Sequence, residues 1–483
     1  MTRIISLTII IILVIIGGSC LLKSGNEFSE LTNNDKIRND FIQEDSLKLI
    51  SLNFLLENAE DKYSVGRLSL KQPDVKTLDK EYLFNNTELS ISNSIRRLND
   101  AVFTVDQFLN YILPYRLRHE KLENWKELGF NKFKALYDND IFIHSKNIND
   151  ELKKTFTYSG RSKANRKFSD LINDCYGGCN EMSDLAAFSM RANGIPVAVD
   201  FAKWSNIIGN HQWNSLITKN NNIPFMGIET DPIIGNNIFT ITGNYKKFAK
   251  VYRKSFKKYE SKFQEFNPKK LINSLNYIDV TKEYCPDCKD IFIKFPNESV
   301  NNEVFFLCVY EVNGWIPVDY AFGKKNTLTF KDVCPNNIFA LKKRVNNKLE
   351  YFKTPFTFNQ SGEVSFVKTD QKETGNLNLT FDNSNYRELI KMFNEIGLPA
   401  TEGIQDSILQ YNYTAKVING NSYKLFYWNN EWIYYDEQIA QNGSIKFIDI
   451  PKNALYKLED INDSKSTRNR CFTTDKNNKQ FWW

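Results

Sequence analysis

The sequence predicts an α+β protein: a cysteine-bearing helical core that opens into a β-meander over residues 41–275, then two mostly antiparallel β-regions over 276–370 and 371–483. Three observations predict it. Apolar residues recur at steps of three and four in five segments between residues 45 and 191. Short alternating segments separated by Asn- and Gly-rich turns dominate after Ile278. A chain of 483 residues also exceeds one ordinary core and divides into about three domains.

The elements follow in order. Leu47, Leu49, Ile50, Phe54 and Leu55 give an amphipathic helix over 45–57. A second helix runs from Val105 to Leu113 and stops at Pro114. Helical patterns continue over 125–137 and 167–173. Met182, Leu185, Ala186 and Met190 share one face of a helix over 180–191, which Asn193-Gly194 and Pro196 end. Strands are predicted from Ile195 to Ala202 and from His211 to Thr218. After the polar turn Lys219 to Asn222, a third runs from Ile223 to Asp231. From Tyr245 to Phe266, aromatics at steps of three and four are interleaved with eight Lys or Arg residues. The spacing predicts an amphipathic helix with docked aromatics and solvated lysines, not a nucleic-acid surface. Alternating segments then fall at 290–295, 304–310, 315–319 and 327–330. A second set falls at 408–417, 423–428, 432–435 and 444–450, with a boundary near Thr369 to Thr374.

Composition is globular, at 41% hydrophobic and 25% charged, and a net charge of +6 demands no nucleic-acid partner. The N-terminus differs in kind. Arg3 precedes an aliphatic run from Ile4 to Ile16 and then Gly17-Gly18-Ser19-Cys20. That order describes an export segment over residues 1–20, shorter than the roughly 20 apolar residues that cross a bilayer. It resembles a bacterial lipoprotein processing site. The resemblance implies lipidation of Cys20, a polar tether over 21–40, and an exported, envelope-anchored protein. Seven further cysteines remain, among them the pair Cys285 and Cys288. No second ligand pair or histidine follows, so a local disulfide or free thiols are expected, not zinc or thioredoxin-type redox chemistry.

The candidate chemistry lies in Gly177-Gly178-Cys179-Asn180-Glu181, then His211-Gln212-Trp213, then Glu229-Thr230-Asp231-Pro232. The chain has three histidines, and only His211 follows Cys179. A thiol at a helix start gains a lowered pKa from the unpaired N–H groups behind it. The glycines let the backbone turn, and the turn at Gly178 and Cys179 supplies an oxyanion donor in the Cys179 N–H. His211 would accept the thiol proton and later protonate the leaving amine. On a strand reaching Asp231, Glu229 and Asp231 share one face and either can orient the imidazole.

These stretches resemble the transglutaminase-like superfamily with its papain-type fold, closest to exported proteins of bacterial envelopes. The segment Tyr111 to Arg116, with Glu120 and Trp125, resembles a stretch of such proteins too. The resemblance covers about residues 105–260 and implies Cys179 as nucleophile and His211 as base, with no cofactor and no metal. Glu229 stands where the family more often has aspartate; Asp231 precedes proline as the family's aspartate often does, and the reading leans to Glu229.

The expected function is cleavage or transfer of amide or peptide acyl groups through a cysteine thioester. The expected partners are a peptide or protein substrate, glycan-linked or not, and the membrane through the lipid anchor. The alternative is a catalytically idle core presenting β-domains to peptide or glycan, with Trp428, Trp432, Trp482 and Trp483 as exposed-aromatic candidates.

Overall fold

The computed structural model describes residues 44–66, 70–160, 165–205, 209–234, 247–258, 276–311, 314–346, 348–380, 417–462, 471–475 and 480–483. The export segment, Cys20 and the tether lie outside them, as do the segment 408–416 and the side chain of Trp482.

Among the described residues the first unit is built on eight helices. They are α1 (Glu44–Glu57), α2 (Lys80–Ser92), α3 (Ile95–Asn99), α4 (Val105–Tyr111), α5 (Trp125–Phe133), α6 (Ile141–Thr155), α7 (Phe168–Asp174) and α8 (Cys179–Ala192). Local chemistry starts several of them. Thr104 and Gln107 form a reciprocal capping box at α4. The Asp140 carboxylate accepts from Phe142 and Ile143 at the start of α6. Helix α8 is the exception to amphipathicity: every residue from Glu181 to Ala192 is buried. It is the central post of the core, where Met182, Leu185, Phe188 and Met190 meet Phe133, Ile148 and Phe168 of the surrounding helices.

Two short pairings, β1 (Tyr63–Val65) with β2 (Lys71–Pro73) and β3 (Thr157–Tyr158) with β4 (Tyr176–Gly177), flank this bundle. Against α8 lies a five-stranded antiparallel sheet in the order β7-β6-β5-β8-β9. Its strands are β5 (Val197–Trp204), β6 (Asn210–Ile217), β7 (Asn222–Phe225), β8 (Phe248–Lys254) and β9 (Tyr277–Asp279). Val197, Val199 and Leu216 face the helical core. Ala202, Trp213 and Val251 form a separate cluster on the opposite face. There Asp200, fully buried, accepts from Arg253 Nε and Nη2 at 2.7 and 2.8 Å, and from Ser215 and Tyr284. This carboxylate ties β5, β6 and β8 to the short helix α9 (Thr281–Tyr284).

Two expectations fail here. Residues 248–254 are a strand, not part of a helix over 245–266; residues 245–246 and 259–266 lie outside the described residues. Aromatics four apart suit either period, since four is also even. Three of the basic residues expected to be solvated are buried beside carboxylates, Lys250 beside Asp279, Arg253 on Asp200 and Lys254 near Asp184, while Lys257 and Lys258 are exposed as expected. The strand expected to reach Asp231 ends at Phe225 instead. Gly227 takes φ of +52°, and a Cβ there would lie 3.1–3.3 Å from Met182 and Ser183. The chain turns because it packs on the first turn of α8.

Beyond α9 the fold is almost wholly β. Strands β10 (Lys289–Lys294) and β13 (Thr327–Val333) pair, beside a six-stranded antiparallel sheet. That sheet holds β11 (Val304–Glu311), β12 (Gly314–Phe322), β14 (Asn337–Val345), β15 (Lys348–Tyr351), β16 (Phe356–Phe358) and β17 (Val364–Phe366). A further pair, β18 (Asp370–Thr380) and β21 (Ser444–Lys452), lies near a five-stranded sheet. The latter holds β19 (Ser422–Trp428), β20 (Trp432–Ile439), β22 (Tyr456–Asp460), β23 (Cys471–Thr474) and β24 (Gln480–Trp482). Trp428 is buried in a cluster with Phe306, Trp315 and Ile338, so it joins the two β-regions and is not an exposed binding aromatic. Trp432 and Trp483 pack against the same cluster.

His144 reports on the helical core. Its Nδ1 lies 2.8 Å from Arg97 Nη2, so the ring accepts and stays neutral. Burial, then the neighbouring Arg97 charge, push its pKa down to about 4. The folded value lies below the unfolded one of about 6.5. The associated stability is therefore complete above pH 6.5 and is lost as pH falls through 4, by roughly 3 kcal/mol in full. Thermal melts of the wild type across that window should show this loss, and His144→Gln should flatten it.

Candidate active site

Cys179 is the first residue of α8, as its sequence predicts. Gly177 is required for a reason the sequence hides: a Cβ there would sit 2.3 Å from Cβ of Glu181. Glu181 turns back so that its Oε2 accepts the N–H of Gly178 at 3.0 Å. The first turn is thereby closed by its own third residue.

The sulfur sits against β6. Strand β7 pairs with β6 only over residues 214–217, and the N–H of Gln212, beyond that pairing, faces the thiol and favours its charged form. Half-burial raises the pKa of Cys179, the largest effect. The N–H groups of Gln212 and Asn180 and the charge of Arg118 pull it down, and Glu181 pushes it up. The helix start therefore does not give the lowered thiol pKa expected of it. Desolvation outweighs it.

Along β6 neighbouring side chains take opposite faces. Gln212 turns to α8, where its amide donates to Ser183 Oγ at 2.7 Å and Asp184 Oδ1 at 2.9 Å. His211 belongs to the other face. Its ring stacks on Trp204 and Trp213 at 5.6 and 5.7 Å, and its Nε2 lies 3.1 Å from the sulfur of Met226. Sulfur and imidazole thus engage consecutive residues of one strand, the first through the Gln212 backbone.

The two carboxylates part company. Asp231 is held by helix α6, accepting from Asn149 Nδ2 at 2.7 Å and Lys153 Nζ at 2.6 Å. Glu229 is exposed in the turn after β7, its N–H donating to Met226 O at 2.8 Å. Because β7 has already ended, the shared strand face expected for them does not exist.

A polar cluster that spacing did not reveal supports this edge. Arg118 donates through Nε to Asp184 and through Nη2 to Gln212 Oε1 at 2.5 Å. The loop carrying Arg118 is fixed by Glu120, which accepts the N–H groups of Leu117 and Arg118 at 2.8 Å each. Its neighbour Arg116 is paired with fully buried Asp74. The stretch Tyr111 to Trp125 marks this loop in the sequence. Asp184, inside a buried helix, is the polar residue that signals a partner.

No protein-family model matches the chain. No curated protein matches it. Among solved structures, a candidate cysteine protease from Cytophaga hutchinsonii aligns at 19% identity with a TM-score of 0.19. The alignment covers 22% of this chain and 37% of that one, and a likeness so slight carries no argument.

The raised thiol fixes a pH expectation. Iodoacetamide labelling of Cys179, followed by peptide mass spectrometry, should climb with pH along a titration lying above the ordinary thiol value of about 8.5. Arg118→Gln, by removing a charge that favours the thiolate, should move that titration higher; an unmoved or lowered curve contradicts the assignment.

Proposed function

We propose that the chain is a cysteine enzyme of the transglutaminase-like kind, exported and held at the cell envelope. It acts on amide or peptide acyl groups through a thioester on Cys179. One observation supports the reading above the others: a thiol opens a fully buried helix and lies at the edge of the strand that carries His211.

With its pKa raised by burial, Cys179 rests as the neutral thiol. The proton then leaves as the sulfur attacks: His211 takes it, the sulfur–carbon bond forms, and the carbonyl oxygen gains the charge. The Cys179 N–H is the donor assigned to that oxyanion, since the Gly178 N–H is already bonded to Glu181. Collapse expels the amine, which takes the proton from the imidazolium. Water or a second amine then releases the acyl group. Glu229 is assigned to orient the imidazole, because Asp231 is engaged by Asn149 and Lys153.

A catalytically idle core is the second reading, and one contact favours it: the thioether of Met226 sits at the imidazole nitrogen that a base would use. Profiling against peptide libraries separates the two. An enzyme should lose turnover completely in Cys179→Ala and by roughly a hundredfold or more in His211→Ala. Equal, background-level signals from the wild type and both variants would decide for the idle core.

A further inference from the structure

Behind Arg118 lies a cavity of about 30 Å³ lined by Lys62, Arg116, Arg118, His119, Arg191 and Lys254. They come from four parts of the unit: the loop before β1, the loop after α4, helix α8 and the end of β8. The five lysines and arginines face four carboxylates, and those are already engaged. Asp61 is paired with Lys62, and Asp74 with Arg116 and Tyr115. Glu120 is held by two backbone N–H groups, and Asp184 by Arg118 and Gln212. The cluster carries one net positive charge.

Arg191 donates to Val197 O, and Lys254 shares Asp184 with Arg118. The Lys254 side chain is 8% exposed, and its Nζ forms no hydrogen bond among the described residues; Asp184 Oδ1 is 3.6 Å away. Enclosing a cation without a hydrogen-bonded partner is costly, so an anion entering here gains more than it would on the surface. Size narrows the ligand. A single water needs about 10–15 Å³ on this measure, so the cavity takes about two oxygen-sized atoms. Two oxygens, one negative charge and a surround of forked donors describe a carboxylate.

We propose that this cavity is a binding site for a small carboxylate, with Lys254 completing its coordination, and that the carboxylate is supplied by the peptide substrate. The second half rests on the cysteine-enzyme reading; the first does not. Arg118 connects them, since it lines the cavity and also bonds Gln212, whose N–H reaches the sulfur of Cys179. A docked carboxylate and the nucleophile would then share one fixed strand.

The test uses the full chain carrying Cys179→Ala, so that its outcome is independent of thiol chemistry. Acetate should raise the melting temperature saturably at constant ionic strength. Adding Lys254→Met should weaken acetate about tenfold or more, the loss of one charge-assisted hydrogen bond. That substitution should fold, because Arg118 still compensates Asp184 when an apolar side chain replaces the buried ammonium. A second readout needs no change at Lys254. Burial, then the charge of Arg118, hold its pKa down to about 7, against the opposing pull of Asp184 and Glu120. Acetate should therefore weaken as pH rises through 7. Arg116, Arg191, Lys62 and His119 face the same cavity, and Lys254→Met separates its own titration from that of His119. A non-saturating acetate response, or an equal one with Lys254→Met, overturns the site. A peptide with a free C-terminus should compete with acetate while its C-terminal amide does not. If neither competes, the peptide assignment fails and a free small carboxylate is the ligand.

Discussion

The Arg118–Asp184–Gln212 cluster is the contact on which the geometry of the candidate site depends. Asp184 lies in the second turn of α8, Gln212 on β6, and Arg118 on the loop after α4. Three segments far apart in the chain meet at one buried carboxylate. Because Gln212 is drawn to that carboxylate by its side chain, its backbone N–H is held at the thiol. Strand alternation then forces His211 to the opposite face. Removing Asp184 would leave a buried guanidinium uncompensated, which is the more damaging way to break such a pair.

A second buried carboxylate does the corresponding work on the far face of the sheet. Asp200 gathers Arg253, Ser215 and Tyr284, and Tyr284 in turn accepts the indole N–H of Trp213 at 2.9 Å. Trp213 is one of the two rings stacked on His211. Gln212, whose backbone faces the thiol, and His211 are therefore each braced by their own charged cluster.

Much of the fold was legible from pattern. The helix at Cys179, the strands around His211 and the short alternating segments after Ile278 all reflect a buried face of fixed period. The stretch 248–254 was misread because its residues are buried on both sides, so neither period stands out. Its lysines also find carboxylates that no local pattern announces. The turn after Phe225 was misread for a different reason: Gly227 bends where it meets α8, a neighbour 44 residues earlier at Ser183.

The sequence by itself determined that a thiol opens a helix and that a lone histidine follows on a strand. Those facts need only local periodicity and caps. Tertiary structure alone decided the state of that thiol, because burial depends on what surrounds it. It decided which carboxylate is spent on a helix, since Asp231 meets Asn149 and Lys153 only in the folded chain. It also assembled the cationic cavity, whose members are scattered from Lys62 to Lys254 and acquire a common field only when α8 and β8 pack together.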